Sequence, residues 1–140
     1  MNITDEGVIL ATIIKGSDDV KTKKNFYTNN QDEFQVASFN LDKDEVIDRH
    51  YHPSQIRTVN KTSEVIIVQE GSIMLTLYSK DLEKVDDVVL NKGDIAILID
   101  GGHELKMESD DPVSYTHLRA HETDSYLVCR LLLEKKGRRA

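Results

Sequence analysis

His50 and His52 are separated by a single residue. Side chains of a β-strand alternate, so residues i and i+2 share a face and both imidazoles can reach one ion from one wall. Glu64 offers a hard oxygen ligand and His103 a third imidazole, each from a different predicted strand. Three neutral nitrogens and a carboxylate suit Mn, Fe, Co, Ni or Zn and leave coordination positions open for water or substrate. The same spacing also fits polar residues rimming a β structure. Glu64 would serve equally as an acceptor that fixes the tautomer of a ligating histidine. Arg57, in the spacer between His52 and Glu64, can clamp a carboxylate or phosphate with two parallel donors, or be a solvated loop charge. Tyr51 alternates away from the imidazoles and reads as packing.

These residues need strands to hold them, and the pattern of residues 1–112 supplies strands. Val8 to Ile14 is a buried-strand candidate ended by Lys15-Gly16-Ser17-Asp18-Asp19. Phe34 to Leu41 alternates. Glu64 to Gln69 is expected to turn at Glu70-Gly71 into Ile73 to Tyr78 as a hairpin. Val88 to Leu90 leads into the tight turn Asn91-Lys92-Gly93-Asp94. Ile95 to Ile99, Gly101-Gly102 and His103 to Glu108 follow. The best helical candidate, Asp81 to Val88, is short and highly charged. Many short strands spaced by turns predict an all-β sandwich or barrel.

The constellation resembles the two motifs of the cupin superfamily. The first is carried by His50-x-His52 followed by Glu64-Val-Ile-Ile-Val-Gln-Glu-Gly71, the second by Gly93-Asp94-Ile-Ala-Ile-Leu-Ile-Asp-Gly101-Gly102-His103. The resemblance covers roughly residues 34–108. It implies a small jelly-roll barrel in which His50, His52, Glu64 and His103 ligate one divalent metal ion. Two departures are present: an eleven-residue spacer between His52 and Glu64, and a second motif without its proline and one residue short. Both are similar to a subgroup of uncharacterised cupins associated with polysaccharide-biosynthesis genes, as are Arg57, Thr62-Ser63-Glu64 and Gly101-Gly102-His103. A small polar ligand, such as a sugar or sugar nucleotide, is what that likeness implies, with a homodimer as the expected assembly. Whether the protein is an enzyme stays open. The His-Tyr pair used by sugar epimerases of cupin fold is not evident, because Tyr51 is out of phase and Tyr78 is expected across the hairpin. The alternative is a non-catalytic ligand-binding or structural partner module without bound metal.

The remainder, residues 113–140, reads differently. Val113 to Thr123 resembles the in-frame translation of a transposase-type sequencing-library adaptor. Asp124-Ser125-Tyr126 has the length of a barcode, and Leu127 to Lys136 resembles the adaptor's far end. The expectation is a cupin barrel over residues 1–112, truncated at its C-terminal strand, followed by an artefactual tail. His117 and His121 stand at i, i+4, the spacing of two ligands on a helix face, but no glutamate follows His117 as the zinc-protease motif requires. Neither they nor Cys129 are assigned a role. Leu127 to Leu133 is apolar enough to dock opportunistically on an edge left open.

Charge divides along the same line. Twelve of the 18 basic and 22 of the 25 acidic residues fall in residues 1–112, so that segment carries −10 of a total of −7. Such acidity argues against nucleic acid, which needs clustered Lys and Arg. No basic-flanked leader or membrane-length apolar run is present, so a soluble, cytoplasmic protein without a membrane partner is expected, and the lone cysteine fits a reducing compartment.

Overall fold

In a computed structural model, which describes residues 1–18, 22–56 and 58–120, the β-branched runs become ten strands and no helix. They are β1 (Asn2–Asp5), β2 (Val8–Ile14), β3 (Lys24–Phe26), β4 (Ala37–Phe39), β5 (Glu64–Glu70), β6 (Ile73–Tyr78), β7 (Lys84–Leu90), β8 (Ile95–Leu98), β9 (Gly102–Met107) and β10 (Ser114–Arg119). All pairings are antiparallel. Five strands form one sheet in the order β1-β2-β8-β5-β10, three form a second in the order β7-β6-β9, and β3 and β4 pair alone. Among the described residues, none of these sheets closes on itself.

The two larger sheets meet over one core. Leu10, Ile13, Ile66, Val68, Ala96 and Leu98 come from the five-stranded sheet, and Ile73, Leu75, Leu77 and Leu90 from the three-stranded one. β6 shows the cause, since Ile73, Leu75 and Leu77 are buried while Met74, Thr76 and Tyr78 are only partly covered. That period of two lays one apolar face on the opposing sheet. β5 is apolar on both faces. Ile66 and Val68 enter the main core, while Val65 joins Ile14 and Ile97 on the opposite face, under Tyr27, Phe34 and Val36.

That double burial overturns the expected hairpin. β5 already has neighbours on both edges, β8 and β10, and β6 has β7 and β9 on its own. The chain therefore leaves one sheet at Gly71 and enters the other, so that Ile66 and Val68 oppose Ile73 and Leu75 across the core and do not lie beside them. Gly71 turns there at φ 83°, and a Cβ would stand 2.6 Å from Ser109 Oγ and 3.0 Å from the Val113 side chain. The expected strand over Phe34–Leu41 contracts to Ala37–Phe39, because Phe34 and Val36 are used as a loop cover for the five-stranded sheet. The charged stretch Asp81–Val88 enters a strand and not a helix: it runs from the β6–β7 turn into β7.

Residues 114–119, the start of the adaptor-like segment, form β10. They pair with β5 from Ser114↔Glu70 to Arg119↔Glu64, with one bulge after Ser114. Ala120 N–H donates to the Ser63 carbonyl at 2.8 Å and prolongs the pairing by a residue. Docking was expected from Leu127–Leu133; that stretch, His121 and Cys129 lie outside the described residues. No helix among the described residues is long and apolar enough to cross a membrane.

Candidate functional site

Glu64 opens β5 and His103 is the second residue of β9, so they come from opposite sheets. Alternation turns both toward the interior. Glu64 shares a face with Ile66 and Val68, and His103 shares one with Leu105, its own cross-strand partner being the buried Leu77. They meet at the rim, His103 Nε2 lying 3.5 Å from Glu64 Oε2. Two ligands at about 2.0–2.2 Å from a tetrahedral ion stand roughly 3.4 Å apart. The pair therefore has the spacing of two donors to one ion, an imidazole nitrogen and a carboxylate oxygen.

The other two predicted ligands are placed apart from this pair. Residues 40–56 and 58–63 form no strand, and His50 and His52 are exposed within them. Their rings meet edge to face with centroids 5.2 Å apart. His50 Nδ1 lies 2.8 Å from the Asp48 carbonyl oxygen, a contact that calls for a proton on Nδ1 and leaves the Nε2 lone pair available. The four residues thus form two pairs. Among the described residues no three His, Cys, Asp or Glu side chains gather as a metal-holding group. Arg57 lies outside the described residues. Tyr51 is exposed. Tyr78 is not across a hairpin from β5: its partner is Gly102 of β9, and alternation from the buried Leu77 puts it on the outer face. His117 is half-buried on β10 opposite Ile66.

Several residues bracing the rim carried no sequence signal. Lys61 Nζ donates to Asp100 Oδ2 at 2.9 Å, tying the approach to β5 to the turn before β9. Lys61 N–H and Ser63 Oγ both donate to the Glu33 carboxylate, at 3.1 and 3.2 Å. Burial pushes the Asp100 carboxyl up, but the Lys61 ammonium and the Gly101 N–H outweigh it and hold it below the ordinary carboxylate value; the Lys61 ammonium is raised in return. Glu33 is lowered too, its hydrogen bonds overcoming burial. Gly101 turns at φ 71°, and a Cβ there would collide with the Tyr78 carbonyl oxygen. The Asp100-Gly101-Gly102 turn is thereby fixed two residues before His103.

Arg119 of β10 completes the rim, its Nε 3.3 Å from Glu64 Oε1. Glu64, its side chain 16% exposed, is therefore flanked by His103 on one oxygen and Arg119 on the other. Compared with known proteins, the chain matches no family model, no curated protein and no solved structure.

Proposed function

We propose that the chain is a metal-binding jelly-roll protein of cupin type, in which His50, His52, Glu64 and His103 hold one divalent transition-metal ion, Mn, Fe, Co, Ni or Zn, beside a small polar ligand. The observation that carries this reading is the meeting of Glu64 and His103. They come from opposite sheets and face one another at 3.5 Å, a separation that fits one ion. The ion would supply Lewis-acid polarisation of a ligand oxygen, or simply a charge to hold it. A sugar or sugar nucleotide is the ligand class, and Arg57 is the residue to clamp its carboxylate or phosphate.

Completing the site needs His50 and His52 to join the pair, and two features favour it. Among the described residues β9 is paired with β6 alone, so that within them the strand that carries His103 has one edge without a strand neighbour. Residues 41–56, which carry His50 and His52, lie in no strand yet expose Val46, Ile47 and Ile56, the last completely. A strand from this segment laid along β9 would satisfy the edge, cover apolar surface and put both histidines on the face of His103. It would also bring the two larger sheets toward a closed jelly roll. The intact assembly proposed is a homodimer.

The test is metal content. The full chain, reconstituted with each metal at neutral pH and desalted, should retain close to one ion. His50→Ala with His52→Ala should abolish retention, Glu64→Gln should weaken it, and His117→Ala should leave it unchanged. Hydrogen exchange should show backbone protection of residues 46–56 on loading. Elemental analysis that finds no metal in the reconstituted chain overturns the proposal.

A further inference from the structure

We propose that the outward face of the β3–β4 hairpin, with the apolar segment that leaves it, is the surface on which a second copy of this chain docks. The inference gives the proposed homodimer its surface, and rests on no metal ion and on neither His50 nor His52.

The hairpin has two faces with different tasks. Lys24 pairs with Phe39 and Phe26 with Ala37, and the Tyr27 N–H donates to the Val36 carbonyl at 2.8 Å, continuing the pairing. Alternation therefore puts Tyr27 and Val36 on the face that covers the five-stranded sheet, and Lys24, Phe26 and Phe39 on the other. There the two phenyl rings pack edge to face, with centroids 6.3 Å apart, yet stay 59% and 48% exposed. The chain beyond β4 is held to the hairpin. The Glu45 N–H donates to the Asp42 carbonyl and the Asp42 N–H to the Glu45 carboxylate, closing a turn, and Lys23 donates to the same carboxylate. Val46 and Ile47 leave that turn exposed, and Tyr51 and Ile56 follow exposed on the same segment. At their exposures these six side chains offer roughly 800 Å² of largely apolar surface, about one partner's share of a standard stable interface.

Charge names the occupant. Lys23 and Lys24 make the start of β3 basic, whereas residues 42–49 carry Asp42, Asp44, Glu45 and Asp48 against Lys43 and Arg49, all of them exposed. A twofold axis through the phenylalanine pair lays the basic end of one copy on the acidic end of the other and, by symmetry, the reverse. A second copy thus brings both signs and an equal apolar area in the arrangement that this surface needs.

Sedimentation of the full chain, stripped with chelator, should show a monomer–dimer equilibrium at micromolar concentrations. Phe26→Ala with Phe39→Ala should weaken it on the order of tenfold or more, as loss of central aromatic anchors does. Unchanged hydrogen-exchange protection of β5, β6 and β8 checks that this variant folds. Lys24→Glu and Asp48→Lys should each weaken self-association, since each sets like charges against one another in both halves of the interface. Mixing those two variants should restore association as a heterodimer, a rescue that only docking of two copies about a twofold gives. Weakening without rescue on mixing would overturn the twofold pairing of charges. A dimer that the folded phenylalanine variant and the charge variants leave unchanged would overturn this surface and leave the homodimer standing. A wild-type chain that stays monomeric throughout would overturn both, while metal content, measured separately, is untouched by either result.

Discussion

Asp94 is the residue whose replacement tests the fold most sharply. It is 4% exposed, at the end of the turn that joins β7 to β8 and so crosses between the sheets. Its Oδ1 accepts the Gly16 N–H at 2.8 Å; its Oδ2 accepts the Asn91 N–H at 2.8 Å and the Lys15 ammonium at 3.0 Å. Asp94→Asn keeps the shape and one oxygen, so one N–H is still answered, but by a neutral acceptor. The new amide group faces donors, leaving the other N–H unmet. A lost charge-assisted bond plus an unmet donor costs about 2–4 kcal/mol. Lys15 adds less than about 1 kcal/mol, since its side chain is a third exposed. For a chain of this size the melting temperature should fall by roughly 6–16 °C. Burial pushes the Asp94 carboxyl up, yet the Asn91 and Gly16 N–H groups and Lys15 outweigh it, so it titrates below its ordinary 3.8 in the folded state. A carboxyl lowered by folding stabilises above its unfolded value and loses that contribution as pH falls through the folded one. The gap between wild type and Asp94→Asn should therefore be full at pH 7 and begin to close below about pH 4. Calorimetric melts across pH 3–7 read this directly. Coincident melting temperatures at pH 7, or a gap that persists unchanged into acid, would refute the assignment of Asp94 as the pin.

Gly101→Ala should destabilise by about 1–3 kcal/mol, because φ of 71° is unfavourable for alanine and the added methyl meets the Tyr78 carbonyl; denaturant unfolding checks this. It should also weaken metal binding, since the same turn sets His103. Leu75→Ala, at a fully buried position facing the other sheet, should cost about 2–5 kcal/mol with little change in the denaturant slope.

How much was legible follows from which forces are local. β2 runs Val8–Ile14 as the apolar run indicated, and β5, β6 and β8 fall within a residue of expectation, because alternation and turn residues are properties of neighbouring positions. Pairing is not local. Nothing between Glu64 and Tyr78 told a hairpin from a crossing between sheets; the answer lay in β8 and β10 claiming both edges of β5. β3 and β10 lack an apolar signature, Lys24–Phe26 being three exposed residues and Ser114–Arg119 mostly polar, and both exist because an edge was there to pair with. At the candidate site, sequence reasoning chose His50, His52, Glu64 and His103; Glu64 and His103 meet, while His50 and His52 lie apart from them. It missed Arg119, Lys61 and Asp100, whose importance comes only from where distant segments arrive. Asn91-x-x-Asp94 was the one available hint of the pin, an arrangement in which a side-chain carboxylate closes its own turn.

The covered edge of β5 and the outer edge of β9 argue about one another. β10 covers one edge of β5 with a strand of mostly polar residues, so edge pairing in this chain tolerates side chains of little apolar value. Among the described residues β9 keeps one edge without a strand neighbour, although residues 41–56 are close in sequence to β5 and expose Val46, Ile47, Tyr51 and Ile56. Apolar character is therefore not what selects a strand for an edge here. Ordering a segment of that length costs backbone freedom at every residue, and burying Val46, Ile47 and Ile56 offsets only part of it. On the proposed metal reading the balance would come from directional interactions, and His50 and His52 are the residues in that segment proposed to make them. On the proposed metal reading, strand pairing on β9 and ligation beside His103 would be two sides of one coupled transition. Removing the two imidazoles should abolish both the retained ion and the backbone protection of residues 46–56, whereas trimming Val46 or Ile56 to Ala should weaken each only in part.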